Sequence, residues 1–140
     1  MLLLTFKGER NLVLATQKKK STAKEKLHLG IDIGSTTVKI AIIDSIDNLL
    51  FSKYKRHYSD IWKTLAELIQ EVNKEYQGHR LTVAVTGSGG LSVSELLGLT
   101  FVQEVIAGSK AIERYIPDTE VVIELGGEDA KITFFDKGID

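Results

Sequence analysis

An α/β fold is predicted, built on a mixed sheet of the five-stranded type that begins as an antiparallel β-hairpin and is flanked by helices. Three features of the 140-residue chain point to it. The stretch 29–44, LGIDIGSTTVKIAIID, alternates apolar and other residues on both sides of a small-residue break, as two paired strands do. Apolar residues then recur at steps of three and four from Ile61 to Tyr76, the spacing of one helical face. Further on, a short apolar run, a glycine cluster and a helical stretch follow one another over 81–97, the order of a strand, tight turn and helix.

In chain order, the first hairpin runs from about Leu27 to Asp44. Asp47 and Asn48 make the next turn, and Leu49 to His57, polar at alternate positions, reads as a third strand near a sheet edge. Ser59 or Asp60 caps a helix whose apolar face is Ile61, Leu65, Leu68, Val72 and Tyr76, widened by Trp62 and Ile69, and Gln77 and Gly78 end it. Leu81 to Thr86 suits a buried strand. Gly87, Ser88, Gly89 and Gly90 open into a helix over 91–97, an arrangement that suits either close packing or an anion at a helix N-terminus. A second long helix is expected from Gln103 to Tyr115, with Val105, Ile106, Ile112 and Tyr115 as its core set. Val121 to Leu125 and Ala130 to Phe135 then form a second hairpin around Gly126, Gly127, Glu128 and Asp129.

Composition narrows the function classes. No apolar run approaches the ~20 residues of a membrane span, and the early leucine clusters are too short and too interrupted for a secretion signal, so no membrane partner and a cytoplasmic protein are expected. The chain holds no cysteine, which excludes disulfides and thiolate ligands from its own residues. His28, His57 and His79 are far apart and read as surface histidines. Residues 1–27 carry seven basic and two acidic groups, a balance of +5, leaving 11 basic and 17 acidic groups, −6, in the rest. No aromatic residues interleave the lysines of that basic head, so it reads as a leader or tail and nucleic acid is not the expected partner.

Two turns carry the candidate chemistry. In the first, Asp32 stands at the lip, Gly34 permits close backbone approach, and Ser35, Thr36 and Thr37 offer consecutive amides and hydroxyls. Such a concave set of donors suits phosphate oxygens, with Asp32 holding a magnesium ion and Lys39 adding a cation. A plain polar hairpin would show the same residues. The second turn repeats the design with Gly126, Gly127, Glu128 and Asp129. Two such hairpins about 95 residues apart are far less expected from turn chemistry alone. Glu104, at the first turn of its helix, is favoured there by the helix dipole even without chemistry.

The element order βββαβα followed by a hairpin, with GIDIGSTTVK early and IELGGEDAKI late, resembles the ribonuclease H-like fold of actin, sugar kinases and the seventy-kilodalton heat-shock chaperones. The wording LGIDIGSTTVK, VTGSGG, QEVIAGSKAI and ELGGEDAKI is most similar to the BadF/BadG/BcrA/BcrD ATPases, in particular the activators of 2-hydroxyacyl-CoA dehydratases. That resemblance covers about Leu27 to Asp136. It implies a homodimeric ATPase that binds ATP/ADP with Mg2+, holds one [4Fe-4S] cluster between subunits and drives an electron into a dehydratase-type partner enzyme. On this chain, Asp32, Glu104 and Asp129 would be catalytic, with Asp32 and Asp129 also organising the metal. Gly34, Ser35, Thr36, Thr37, Lys39, Gly126, Gly127 and Glu128 would contact the nucleotide. Relatives often carry Asp and Gln where Glu124 and Glu128 stand here, and a histidine where Gly108 stands. The cluster cysteines of such proteins lie beyond the second motif, so the chain is expected to be the N-terminal part of a longer protein, with 1–27 as a leader and 28–140 as the phosphate-binding subdomain. A small-molecule kinase of the same fold and a non-catalytic interaction module are the alternative readings.

Overall fold

The structure, a computed structural model, describes residues 26–127 and 130–135. Strands β1 (Leu27–Ile33), β2 (Thr37–Ile43) and β3 (Leu49–Arg56) are followed by helix α1 (Ile61–Tyr76), strand β4 (Leu81–Thr86), helix α2 (Gly90–Leu97), the short strand β5 (Thr100–Phe101), helix α3 (Glu104–Tyr115) and strands β6 (Val121–Leu125) and β7 (Ala130–Phe134). The first five strands form one mixed sheet in the order β3-β2-β1-β4-β5, and β6 and β7 form a separate antiparallel pair. β1 is central, antiparallel to β2 and parallel to β4, and β3 lies at the edge as its polar alternation predicts.

Alternation decides the core. Leu27, Leu29, Ile31 and Ile33 of β1 and Val38, Ile40 and Ile42 of β2 share one face and pack with Leu65, Leu68 and Val72 of α1, Val85 of β4 and Val93 of α2. The intervening residues point the other way, where the His28 ring meets the Thr82 hydroxyl at 2.6 Å and Lys39 meets Asp32. α1 begins where Asp60 accepts a hydrogen bond from the Lys63 amide at 3.0 Å, a side-chain cap. α2 ends at Gly98, whose left-handed φ of 63° lets its amide turn back onto the carbonyls of Ser94 and Glu95.

Several expectations change. Trp62 does not widen the buried face of α1 but is 48% exposed, and Ile69 is also exposed, because that face is already filled by Thr64, Leu65, Leu68 and Val72. In β4 only Val85 is buried. In α3 only Ile112 of the expected core set is buried, while Val105, Ile106 and Tyr115 are exposed. α3 is instead fastened at its ends. Glu104 accepts from Lys131 of β7 at 2.8 Å, and at the other end Arg114 and the Tyr115 hydroxyl reach Asp47 in the β2–β3 turn. The β6–β7 hairpin turns Val122, Glu124, Lys131 and Thr133 toward α3. Its alternate residues Val121, Ile123, Leu125, Ile132 and Phe134 are exposed apolar groups.

Among the described residues, no helix is long and apolar enough to cross a membrane.

Candidate functional site

Asp32 is the penultimate residue of β1, opposite Lys39 of β2 and Thr86 of β4 in the strand registers. A strand partner on each side therefore fixes its position. The Lys39 ammonium donates to Asp32 Oδ2 at 2.8 Å, in a half-buried ion pair. Burial, the largest influence on Lys39, disfavours its charge, yet its pKa lies above the usual lysine value. The hydrogen bond to Asp32 and the carboxylate charges of Asp32 and Glu124 raise it. Glu124 of β6 thus belongs to the same electrostatic neighbourhood as the first turn.

That turn is closed by the Gly34 amide donating to the Thr37 carbonyl at 2.9 Å, leaving Ser35 and Thr36 at the bend and Ser35 exposed. Three other segments converge on it. From the β4–α2 loop, the Gly89 amide donates to the Ile33 carbonyl at 2.8 Å. Gly87, with φ of +91°, lies so near that a Cβ there would stand 2.4 Å from the Ile33 carbonyl oxygen and 2.5 Å from Asp32 Oδ1. The glycine cluster is thus packed directly onto the acid, and only a residue without a side chain fits. From the β6–β7 turn, a Cβ on Gly127 would be 2.5 Å from Thr36 Oγ1 and 2.8 Å from its methyl carbon. The two glycine turns, far apart in sequence, touch. From the β3–α1 loop, the His57 amide donates to the Thr36 carbonyl at 3.1 Å, and its ring Nε2 lies 3.2 Å from the Gly34 carbonyl oxygen. His57 is 8% exposed, which corrects its reading as a surface histidine. Its partners are backbone groups brought close by strand pairing.

Asp32, Gly34, Ser35, Thr36, Thr37, Lys39 and Gly127 are therefore gathered at one end of the sheet, with Gly126 in the adjoining turn. Glu104 lies farther along, in a hollow between α3 and the second hairpin that Gly108, Ser109, Glu124, Lys131 and Thr133 also line. It is held there by the ion pair with Lys131, in which Glu104 and Lys131 remain about one third exposed. Glu128 and Asp129 lie outside the described residues. Among the described residues, no group of three or more His, Asp and Glu side chains is placed to hold a metal ion. Lys131 and the backbone contacts of His57 are not among the features the sequence singles out. The first was legible, since a turn over 126–129 sets Lys131 opposite Glu124, as the register shows.

The five-stranded mixed sheet and its flanking helices have the actin-like ATPase fold. No family model matches the chain. Two uncharacterized proteins of Methanocaldococcus jannaschii are similar in sequence. MJ0004 is 27% identical over 114 residues, covering 78% of this chain and 43% of that protein. MJ0800 is 30% identical over 142 aligned positions, covering 95% of this chain and 32% of that protein. The chain thus spans less than half the length of either relative. Among solved structures it is similar to component A of the Acidaminococcus fermentans (R)-2-hydroxyglutaryl-CoA dehydratase, with a TM-score of 0.66 and 23% identity over 79% of this chain and 43% of that one. It is also similar to the activator of the 2-hydroxyisocaproyl-CoA dehydratase from Clostridium difficile with bound ADPNP, with a TM-score of 0.68 and 23% identity over 79% of this chain and 41% of that one. At these identities the likeness is one of fold.

Proposed function

We propose that residues 28–140 are the ATP-phosphate-binding subdomain of an ATPase of the dehydratase-activator kind. In a protein that carries this subdomain, hydrolysis would drive an electron into a 2-hydroxyacyl-CoA dehydratase-type partner. The observation that carries this reading is the contact of Gly127 with Thr36, which sets the second turn against the first beside Asp32 and Lys39. Two small-residue turns side by side gather backbone amides and hydroxyls, and such a set of donors suits a polyphosphate chain. The bound ADPNP of the similar C. difficile activator supports the same ligand class.

The residues present fit the group. Gly34 to Thr37 would receive phosphate oxygens on one side, and Gly126, Gly127 and Glu128 would border the other. Lys39, paired with Asp32, is proposed to balance phosphate charge. Asp32 and Asp129 are the carboxylates proposed for Mg2+, an ion that keeps several waters and needs only one or two protein carboxylates. When bound, it neutralises charge on the phosphate oxygens. Glu104 is proposed to orient the attacking water, and Lys131 holds its carboxylate in place until then. These 140 residues contain no cysteine and so supply no thiolate to a [4Fe-4S] cluster shared by a homodimer.

Asp32→Ala in an ATPase that carries this subdomain is expected to abolish MgATP turnover while leaving the circular dichroism spectrum unchanged. Turnover at the wild-type rate in that variant would overturn the assignment.

A further inference from the structure

The β3–α1 loop holds a buried titratable ring for which the reading above has no use. Resting on that reading, we propose that His57 is a positioning residue for the phosphate-facing turn, a latch that sets the carbonyl of Gly34, and with it the bend at Ser35 and Thr36, before any ligand arrives.

The chemistry of its three partners fixes how the latch works. The Gly34 carbonyl can only accept, so the ring nitrogen 3.2 Å away, Nε2, carries the hydrogen. The Ser59 amide can only donate, so Nδ1, 3.1 Å from it, is bare. Both neighbours demand the same neutral tautomer. The His57 backbone amide adds a third tie, to the Thr36 carbonyl at 3.1 Å. Carbonyls on both sides of the bend are thus engaged by one residue.

The loop around His57 is shaped to keep this arrangement. Tyr58 and Ser59 both lie in the left-handed region, with φ of 46° and 66°, although neither is glycine. That double bend brings the Ser59 amide back to Nδ1. The Asp60 amide then donates to the His57 carbonyl at 2.7 Å, and the Asp60 side chain caps α1. Non-glycine residues held in sparsely populated backbone regions persist where the surroundings over-determine them, and they cluster at functional sites. Tyr58 itself is exposed, so its own side-chain packing does not account for the bend. The turn is consequently pinned from the α1 side by His57 and from the α2 side by Gly89, whose amide holds the Ile33 carbonyl.

The test has two arms. In the 140-residue chain, ring 15N chemical shifts should show a protonated Nε2 and a bare Nδ1, and His57→Leu should shift the amide resonances of residues 34–37. Gln, which can present an N–H at similar reach, should return those resonances toward their wild-type positions. In an ATPase that carries this subdomain, H57L should raise the MgATP KM about tenfold with kcat changed less than threefold, and H57Q should recover most of the loss. A ring protonated at Nδ1 instead of Nε2, or H57L amides at 34–37 that do not move, would overturn the latch. So would H57L and H57Q proteins with equal KM values despite normal turnover. A wild-type protein that binds no MgATP would defeat the ATPase reading, and the spectra alone would then decide whether His57 sets the turn.

Discussion

At the scale of single residues, the site rests on close approaches that a methyl group would spoil. Gly87 combines a left-handed φ with contact against Ile33 and Asp32, so Gly87→Ala is expected to destabilise the fold by about 2 kcal/mol or more. Gly108 is the opposite case. It sits inside α3 with nothing within 4 Å of where a Cβ would be, and Gly108→Ala should stabilise by about 1 kcal/mol. Urea unfolding of both variants checks the pair, and a Gly87→Ala protein as stable as wild type would contradict the packing of the glycine loop onto the acid. Asp32, Lys39 and the small residues of the first turn could be found in the sequence, because strand alternation and a tight turn leave little freedom for where such side chains go. His57 could not. Its partners, the Gly34 and Thr36 carbonyls, are main-chain groups 23 and 21 residues away that offer no side-chain signal, and the left-handed Tyr58 and Ser59 are not residue types that announce such a bend.

At the scale of elements, α1 buries Leu65, Leu68 and Val72 as its periodicity predicts but leaves Trp62 and Ile69 exposed, and its outer flank is tied to the sheet edge by charge. Glu71 is engaged by Lys53 and Lys55 of β3, which also reaches Glu67 at 3.3 Å. The Lys53 hydrogen bond foremost, then that of Lys55, lowers the Glu71 pKa from 4.5 to about 2, against the opposing effect of burial. A depressed carboxylate pKa contributes stability that is whole above 4.5 and is lost as the pH falls through about 2. Glu71→Gln should therefore be less stable than wild type at neutral pH and should converge with it at the acid end of that window. Denaturant midpoints measured across the window give the comparison, and a gap that stays constant with pH would refute the assignment. α3 shows where periodicity misleads. Val105, Ile106 and Tyr115 recur at helical spacing, but a pattern states only that a face is apolar and not that something covers it. Here the helix is held by its tips, through Glu104 to Lys131 and through Arg114 and Tyr115 to Asp47.

At the scale of the whole molecule, element order and the hairpin character of both motifs were legible in the sequence, because each depends on local alternation. The separation of β6 and β7 from the five-stranded sheet was not, since which strands share hydrogen bonds depends on contacts across the chain. Central placement of β1 between β2 and β4 is what brings the loops after β1, β3, β4 and β6 to one end. That end is the phosphate seat we propose, with no residue of this chain assigned to the base or ribose. The 140-residue chain alone is accordingly expected to bind ATP weakly, and a micromolar affinity by titration calorimetry would prove that expectation wrong.

The row Val121, Ile123 and Leu125 on β6, beside Ile132 and Phe134 on β7, has its own outcome in water. Five greasy groups on a two-stranded ribbon should recruit a fluorescent dye such as ANS and make the chain self-associate as its concentration rises. Replacing the cross-strand neighbours Ile123 and Ile132 by Lys and Glu should quench the dye signal and return a monomer in sedimentation, with the Asp32 end left untouched.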